Sequence, residues 1–177
     1  MNEIKKVLIT EEQLKARNAE MGRQITADFQ GKELLAICIL RGSYIFFSDL
    51  TREIELPLEV AFMHAASYFD GTESSGKVNL PDQNMLSVKG KDVLVVEDIV
   101  DSGRTLSALK ATLLEKGVNS LHIVTLLDKP DRRVVDIDVD YSGFIVPDEF
   151  VVGYGLDYNQ RFRNLKYIGV LKEEVYQ

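Results

Sequence analysis

The chain has a single cysteine, Cys38, so no intrachain disulfide can form. It lies inside the apolar run Leu34-Leu35-Ala36-Ile37-Cys38-Ile39-Leu40, the place of a buried packing residue. Only two histidines occur, His64 and His122, both within strand-like runs. Without a His/Cys cluster a zinc site is not expected. Positive charge is in deficit: the net charge is −7, so no broad basic surface is expected, and nucleic acid and anionic membranes are poor principal partners. No apolar run approaches bilayer-spanning length, and Met1 to Thr10 has no signal-peptide core. Neither Gly-x-x-x-x-Gly-Lys-Ser/Thr nor Gly-x-Gly-x-x-Gly occurs, which removes the Walker loop and the dinucleotide fingerprint. Internal repeats and low-complexity segments are also missing.

What remains is ordinary in amount. At 177 residues, 45% apolar and 28% charged, the chain reads as one soluble globular domain, 1–177, with a full core. A cytoplasmic enzyme is the expectation.

Thr10-Glu11-Glu12-Gln13 reads as a capping box, followed by Leu14, Met21, Ile25 and Phe29 on one helical face. Gly31 is placed to end that helix. Leu34–Leu40 reads as a buried strand, and Arg41-Gly42-Ser43 turns it into a helix reaching about Glu53. Leu58 to Ser67 is strand-like, and Ser67 to Leu86, rich in Gly, Ser, Asp and Asn, is expected to be a long mobile loop. Val93–Val96 is a further strand, Thr105–Lys116 a helix stopped by Gly117, and Leu121–Leu127 another strand. Tyr141–Val146, Phe150–Gly153 and Tyr167–Leu171 complete the series as short strands. Strands alternating with helices predict an α/β fold around a central, mainly parallel sheet. In such sheets ligands collect at the carboxyl ends of the strands. Arg41, the segment Glu97–Thr105 and Lys129 each follow a strand directly, so one rim should carry all three.

Val93 to Thr105 holds the densest chemistry, Val-Leu-Val-Val-Glu-Asp-Ile-Val-Asp-Ser-Gly-Arg-Thr. A buried strand, an acidic pair, a hydroxyl-rich turn and a helix start follow in that order. The helix start offers unpaired N–H groups and a dipole suited to phosphate. Ser102 and Thr105 add hydroxyls, and Gly103 allows close backbone approach. Glu97 and Asp98 would repel phosphate, so sugar hydroxyls or a metal ion near them are their natural partners.

This segment resembles the phosphoribosyl-diphosphate (PRPP) binding motif of the type I phosphoribosyltransferases. Three further segments resemble the 6-oxopurine branch of that family, in family order. Leu40-Arg41-Gly42 is similar to its Leu-Lys-Gly diphosphate loop, commonly built with a cis peptide before the second residue; arginine stands here where lysine is commoner. Ser67-Tyr68 is similar to the Ser-Tyr pair of the lid, which would exclude water from the reacting sugar. Pro147 to Asn159 resembles the segment closing the purine pocket in hypoxanthine-guanine phosphoribosyltransferases.

The resemblance implies the type I phosphoribosyltransferase fold, a parallel sheet flanked by helices with a small hood and a mobile active-site loop at about 67–86. The segment at about 141–177 would form the purine pocket. It also implies transfer of a 5-phosphoribosyl unit from PRPP to N9 of hypoxanthine or guanine, with Mg²⁺ as cofactor. Asp101 would exchange a proton with purine N7. Glu97, Asp98, Ser102, Gly103, Arg104 and Thr105 would bind PRPP, and Arg41, Gly42 and Arg163 the diphosphate. Lys129, Phe150, Val151 and Asp157 would hold the base, and Glu97, Asp98 and Asp157 would lie at the metal. A homodimer or homotetramer is implied as well. A lysine donor speaks against adenine, whose 6-amino group would face it donor to donor; xanthine stays open. A nucleotide-sensing regulator on the same fold is the rival of another class, opposed by the acidic charge.

Overall fold

The computed structural model describes residues 2–64 and 87–176. Five strands form a parallel sheet in the order β3-β2-β4-β5-β6, with β2 at Leu34–Leu40, β3 at Leu58–His64, β4 at Asp92–Val100, β5 at Ser120–Asp128 and β6 at Tyr141–Ile145. Alternating side chains divide the core in two. Leu34, Ala36, Cys38, Leu94, Val96, Val124 and Leu126 face α1 (Glu11–Asp28) and α2 (Tyr44–Arg52). Leu35, Ile37, Ile39, Val93, Val95 and Ile123 face α3 (Arg104–Glu115) through Leu106, Leu109 and Leu113. A sheet covered on both faces needs apolar residues at consecutive positions, and that is why β2 reads as an unbroken apolar run.

The capping box at Thr10 forms as expected: Gln13 N–H donates to Thr10 Oγ1 at 3.3 Å, and Thr10 N–H donates to Gln13 Oε1 at 2.8 Å. Such a cap contributes about 1 kcal/mol. Leu14, Met21, Ile25 and Phe29 are all buried, and Gly31 takes φ +78° just beyond the helix. Helix α3 ends one residue earlier than expected, with Gly117 at φ +78°.

Several elements differ from the sequence reading. Strand β4 does not stop at Val96 but runs on to Val100, because β5 pairs with it through Glu97↔Thr125 and Val100↔Asp128. The acidic pair is thus part of the strand, held by its ladder. A strand at Ile4–Ile9, β1, was not expected; it pairs antiparallel with β8 (Ile168–Leu171), which also pairs with β7 (Val151–Val152). These three strands form a second small sheet, the hood, so the late strands β7 and β8 leave the parallel sheet. Register shifts in β1 between Ile4 and Lys6 and between Val7 and Ile9 break the alternation that would have marked it. A short helix, α4, spans Glu173–Tyr176. β3 is described to His64, so Ser67, Tyr68 and the loop expected at 67–86 lie outside the described residues.

Cys38 is fully buried, and burial pushes its thiol up to about 11. The thiolate is the reactive form. Native protein at pH 8 is therefore expected to resist a disulfide-exchange reagent, with one thiol per chain titrating in denaturant. Rapid native reaction would contradict the packing of β2.

Candidate active site

The carboxyl ends of the parallel strands assemble the site. Leu40 closes β2, and its peptide bond to Arg41 is cis. Gly42 follows against the acidic pair: a Cβ there would run into the Asp98 carboxylate. Ser43 Oγ, buried, donates to Ile39 O and fixes the turn into α2. Arg41, Gly42, Asp98, Asp157, Gln160 and Arg163 line a cavity of about 420 Å³. Gln160 Oε1 accepts from both Arg41 and Arg163, each at 3.2 Å. Arg163 also donates to Gly155 O at 2.7 Å and pairs with Asp157 Oδ1 at 2.7 Å. Two guanidinium groups lining one cavity with a glycine suit a multiply charged anion.

Beside it, Glu97 to Thr105 lines a cleft of about 190 Å³. Burial pushes the Glu97 carboxyl well above the usual carboxylate range, and the charge of Asp98 adds to the effect. Burial raises Asp98 as well, opposed by hydrogen bonds that include the Ile99 N–H, which donates to Asp98 Oδ1 at 2.7 Å. Glu97 Oε2 is buried with no partner among the described residues. That orphaned oxygen, next to Asp98, fits a hard cation or ribose hydroxyl. Among the described residues no group of three or more His, Cys, Asp or Glu side chains is gathered for a metal. The arrangement fits Mg²⁺, which keeps much of its coordination for water and substrate oxygens.

Gly103 begins α3 at φ +80°, and no side chain caps the helix. The N–H groups of Arg104, Thr105 and Leu106 therefore point outward without helical acceptors. Arg104 N–H reaches Ser102 Oγ only at 3.5 Å. Gly103 itself is packed so closely that a Cβ would sit 2.8 Å from Val135 O. Val134 and Val135 N–H donate to Ser102 O at 3.0 and 3.1 Å, which ties the turn to the chain beyond β5. Ser102, Gly103 and Thr105 line the cleft; Arg104 is exposed and stands outside it.

Lys129 directly follows β5 and is only 8% exposed. Its ammonium donates to Glu149 O at 2.9 Å and faces Asp148 Oδ1 at 3.5 Å. Phe150 is half-exposed, and Val151 opens β7. The turn after Lys129 is structural. Arg132 joins Asp101 to Asp148, donating to Asp101 Oδ1 at 2.8 Å and Asp148 Oδ2 at 2.9 Å. Arg133 donates to the carbonyls of Val100 and Asp101, both at 2.8 Å, and pairs with Asp128 at 2.5 Å. The two arginines clamp the Asp101 turn to the base-side loop. Sequence reasoning missed them, as it missed Gln160; their partners lie 31 or more residues away for Arg132 and Asp101, and 119 for Arg41 and Gln160.

Tyr154 also positions the site. Its hydroxyl is buried, donates to Asp49 Oδ2 at 2.5 Å and accepts from Asn18 Nδ2 at 2.8 Å. Burial first, then Asp49, pushes the phenol far up, so it stays neutral. This pins the 153–157 turn to α1 and α2.

A parallel sheet whose rim carries an acidic strand end, an uncapped helix start and a cavity lined by two arginines is the architecture of a type I phosphoribosyltransferase. The phosphoribosyl transferase domain family matches residues 8–159. A hypoxanthine-guanine phosphoribosyltransferase of Staphylococcus aureus is 51% identical over 175 residues, covering 99% of this chain and 98% of that one. The crystal structure of a hypoxanthine phosphoribosyltransferase from Staphylococcus aureus superposes with TM-score 0.91 at 50% identity, over 99% of this chain and 96% of that one. A hypoxanthine-guanine phosphoribosyltransferase from Bacillus anthracis, solved with HEPES in the active site, gives TM-score 0.87 at 44% identity, over 96% and 98% of the two chains. The chain belongs to the phosphoribosyltransferase family, in its hypoxanthine-guanine branch.

Proposed function

We infer that the chain is a purine-salvage transferase, moving the 5-phosphoribosyl unit of PRPP to N9 of hypoxanthine or guanine and releasing diphosphate with IMP or GMP. The observation that carries the choice of base is Lys129. A buried ammonium fixed by Glu149 O beside Phe150 and Val151 offers a donor to a 6-oxo group. An exocyclic 6-amino group would leave two donors opposed.

The 5-phosphate docks on the N–H groups and hydroxyls of Ser102, Gly103, Arg104 and Thr105. Glu97 and Asp98 accept from the ribose diol. The diphosphate lies against Gly42, Arg41 and Arg163, whose charges stabilise it as it leaves C1. Phe150 stacks on the base, the Val151 carbonyl reads its edge, and Asp157 closes the same end. As N9 attacks C1, Asp101 takes the N7 proton. Glu97, Asp98 and Asp157 would hold Mg²⁺ directly or through water, and the ion would supply charge neutralisation to the diphosphate. Ser67 and Tyr68, in the segment outside the described residues, belong to the lid.

One phosphoribosyltransferase domain spans 1–177. A cytoplasmic homodimer or homotetramer completes the reading, supported by half-exposed Val60 and Phe62 on the edge strand β3. Among the described residues no helix is long and apolar enough to cross a membrane.

Diphosphate release with PRPP and Mg²⁺, each base added separately, tests this. Turnover with hypoxanthine and guanine, abolished by a chelator, is expected. Silence with every base from folded protein that still binds PRPP would instead favour a nucleotide sensor. Lys129→Ala is expected to raise the purine KM about tenfold or more, on the scale of a charge-assisted hydrogen bond. PRPP affinity should change much less, and equal losses would indicate misfolding.

A further inference from the structure

Phe150 does not stand alone. Tyr176, in the short helix α4, stacks on it with ring centroids 4.9 Å apart and planes 22° from parallel. Tyr158 meets its edge at 5.5 Å and 89°. Both tyrosines pack against the hood cluster of Val152, Phe162, Leu165 and Leu171. The backbone ties this corner together: Leu171 N–H donates to Phe150 O at 2.8 Å, and Lys172 N–H donates to Glu3 O at 2.9 Å. Even so, Phe150 remains 38% exposed. Tyr176 covers one face of its ring and Tyr158 meets one edge, so the exposed remainder of the ring is what a planar ligand can meet.

We propose that Tyr176 is a positioning residue for the purine, setting the plane of the Phe150 ring so that its exposed part meets the base. The inference rests on the reading of Phe150 as the stacking residue. A phenyl ring loses rotational freedom when a flat ligand settles on it. A ring already held between a stacked and an edge-on partner has lost that freedom on folding. Aromatic pairs in these offset and edge geometries contribute beyond their buried area. Among the described residues, Tyr176 is not part of the lining of the PRPP cleft or the diphosphate cavity. Its effect should fall on the purine alone.

The test is steady-state kinetics on Tyr176→Ala, Tyr176→Leu, Tyr176→Phe and Phe150→Ala, with KM measured separately for hypoxanthine, guanine and PRPP. Tyr176→Ala and Tyr176→Leu are expected to raise the purine KM about threefold to tenfold, with PRPP KM within about twofold. Leucine fills the space without an aromatic face, which keeps the test open should the alanine variant fold poorly. Tyr176→Phe keeps the stack and should behave as the parent. If Phe150→Ala raises the purine KM while Tyr176→Ala and Tyr176→Leu do not, the inference falls and the stacking role of Phe150 stands. If Phe150→Ala leaves the purine KM unchanged, the reading of Phe150 fails and takes the inference with it. Equal rises in purine and PRPP KM for Tyr176→Leu would mean a loosened hood, and would overturn the proposal.

Discussion

Asp101→Asn is expected to lower turnover by roughly 10²–10⁴, the usual scale for general acid–base catalysis, while PRPP binding stays largely intact. Asparagine has the size of aspartate and keeps an oxygen for the Arg132 Nε–H, which donates to Asp101 Oδ1 at 2.8 Å. The rest of the clamp is made to backbone carbonyls and does not depend on the Asp101 side chain. Arg133 holds the Val100 and Asp101 carbonyls, and Val134 and Val135 hold Ser102 O. The phosphate-binding turn should therefore keep its shape. What the substitution removes, on the proposed function, is the group that would accept the N7 proton. The Arg132–Asp101 pair is half-exposed on both sides, so solvent screens it and it adds little to stability. It orients the carboxylate without holding it strongly. Comparing kcat with the equilibrium affinity for PRPP separates the two effects. Turnover at the parent rate would remove Asp101 from the proton transfer.

The sequence carried the parallel sheet well where burial is complete on both faces. Leu34–Leu40 was read at its observed bounds because consecutive apolar residues have no other place in a domain of this kind. The first helix was equally plain, since its capping box is a local signal. β1 was not, because it is half-exposed and its register shifts destroy the period. The motif residues around Glu97–Thr105 were legible as a group for a related reason: acids and small residues at the end of a buried strand have few structural uses. Arg132, Arg133, Gln160 and the Asn18–Tyr154–Asp49 chain were not. Each acts on a partner distant in sequence, Tyr154 and Asp49 being 105 residues apart, and only the folded turn after β5 turns a charged run into a clamp. Arg104 carried the motif but stands exposed, apart from the cleft that Ser102, Gly103 and Thr105 line.

Gly155→Ala is expected to be among the most damaging single methyl additions in the chain. Gly155 sits at φ +105°, where a side chain is strained, and its added Cβ would run into Gly42 O. Gly42 cannot retreat, because the space behind its own Cα is taken by the Asp98 carboxylate. Hood turn, diphosphate loop and acidic strand end are thus stacked backbone on backbone, with no side chain between the first two. Strain at such a φ costs about 1–3 kcal/mol, and forcing an extra methyl into packed structure costs about as much again. Gly31→Ala supplies the control. That residue also has positive φ, +78°, but nothing lies within 4 Å of its Cβ position, so it carries the conformational cost alone. Urea titration of both variants isolates the backbone contact as the difference between them. Turnover should fall in Gly155→Ala by about a hundredfold, the scale set by an ångström of misplacement at a reacting centre, and stay near the parent value in Gly31→Ala. Equal stability losses with full activity in both would mean that the hood does not bear on the diphosphate loop, and that Arg163 is brought to the cavity by its own turn alone.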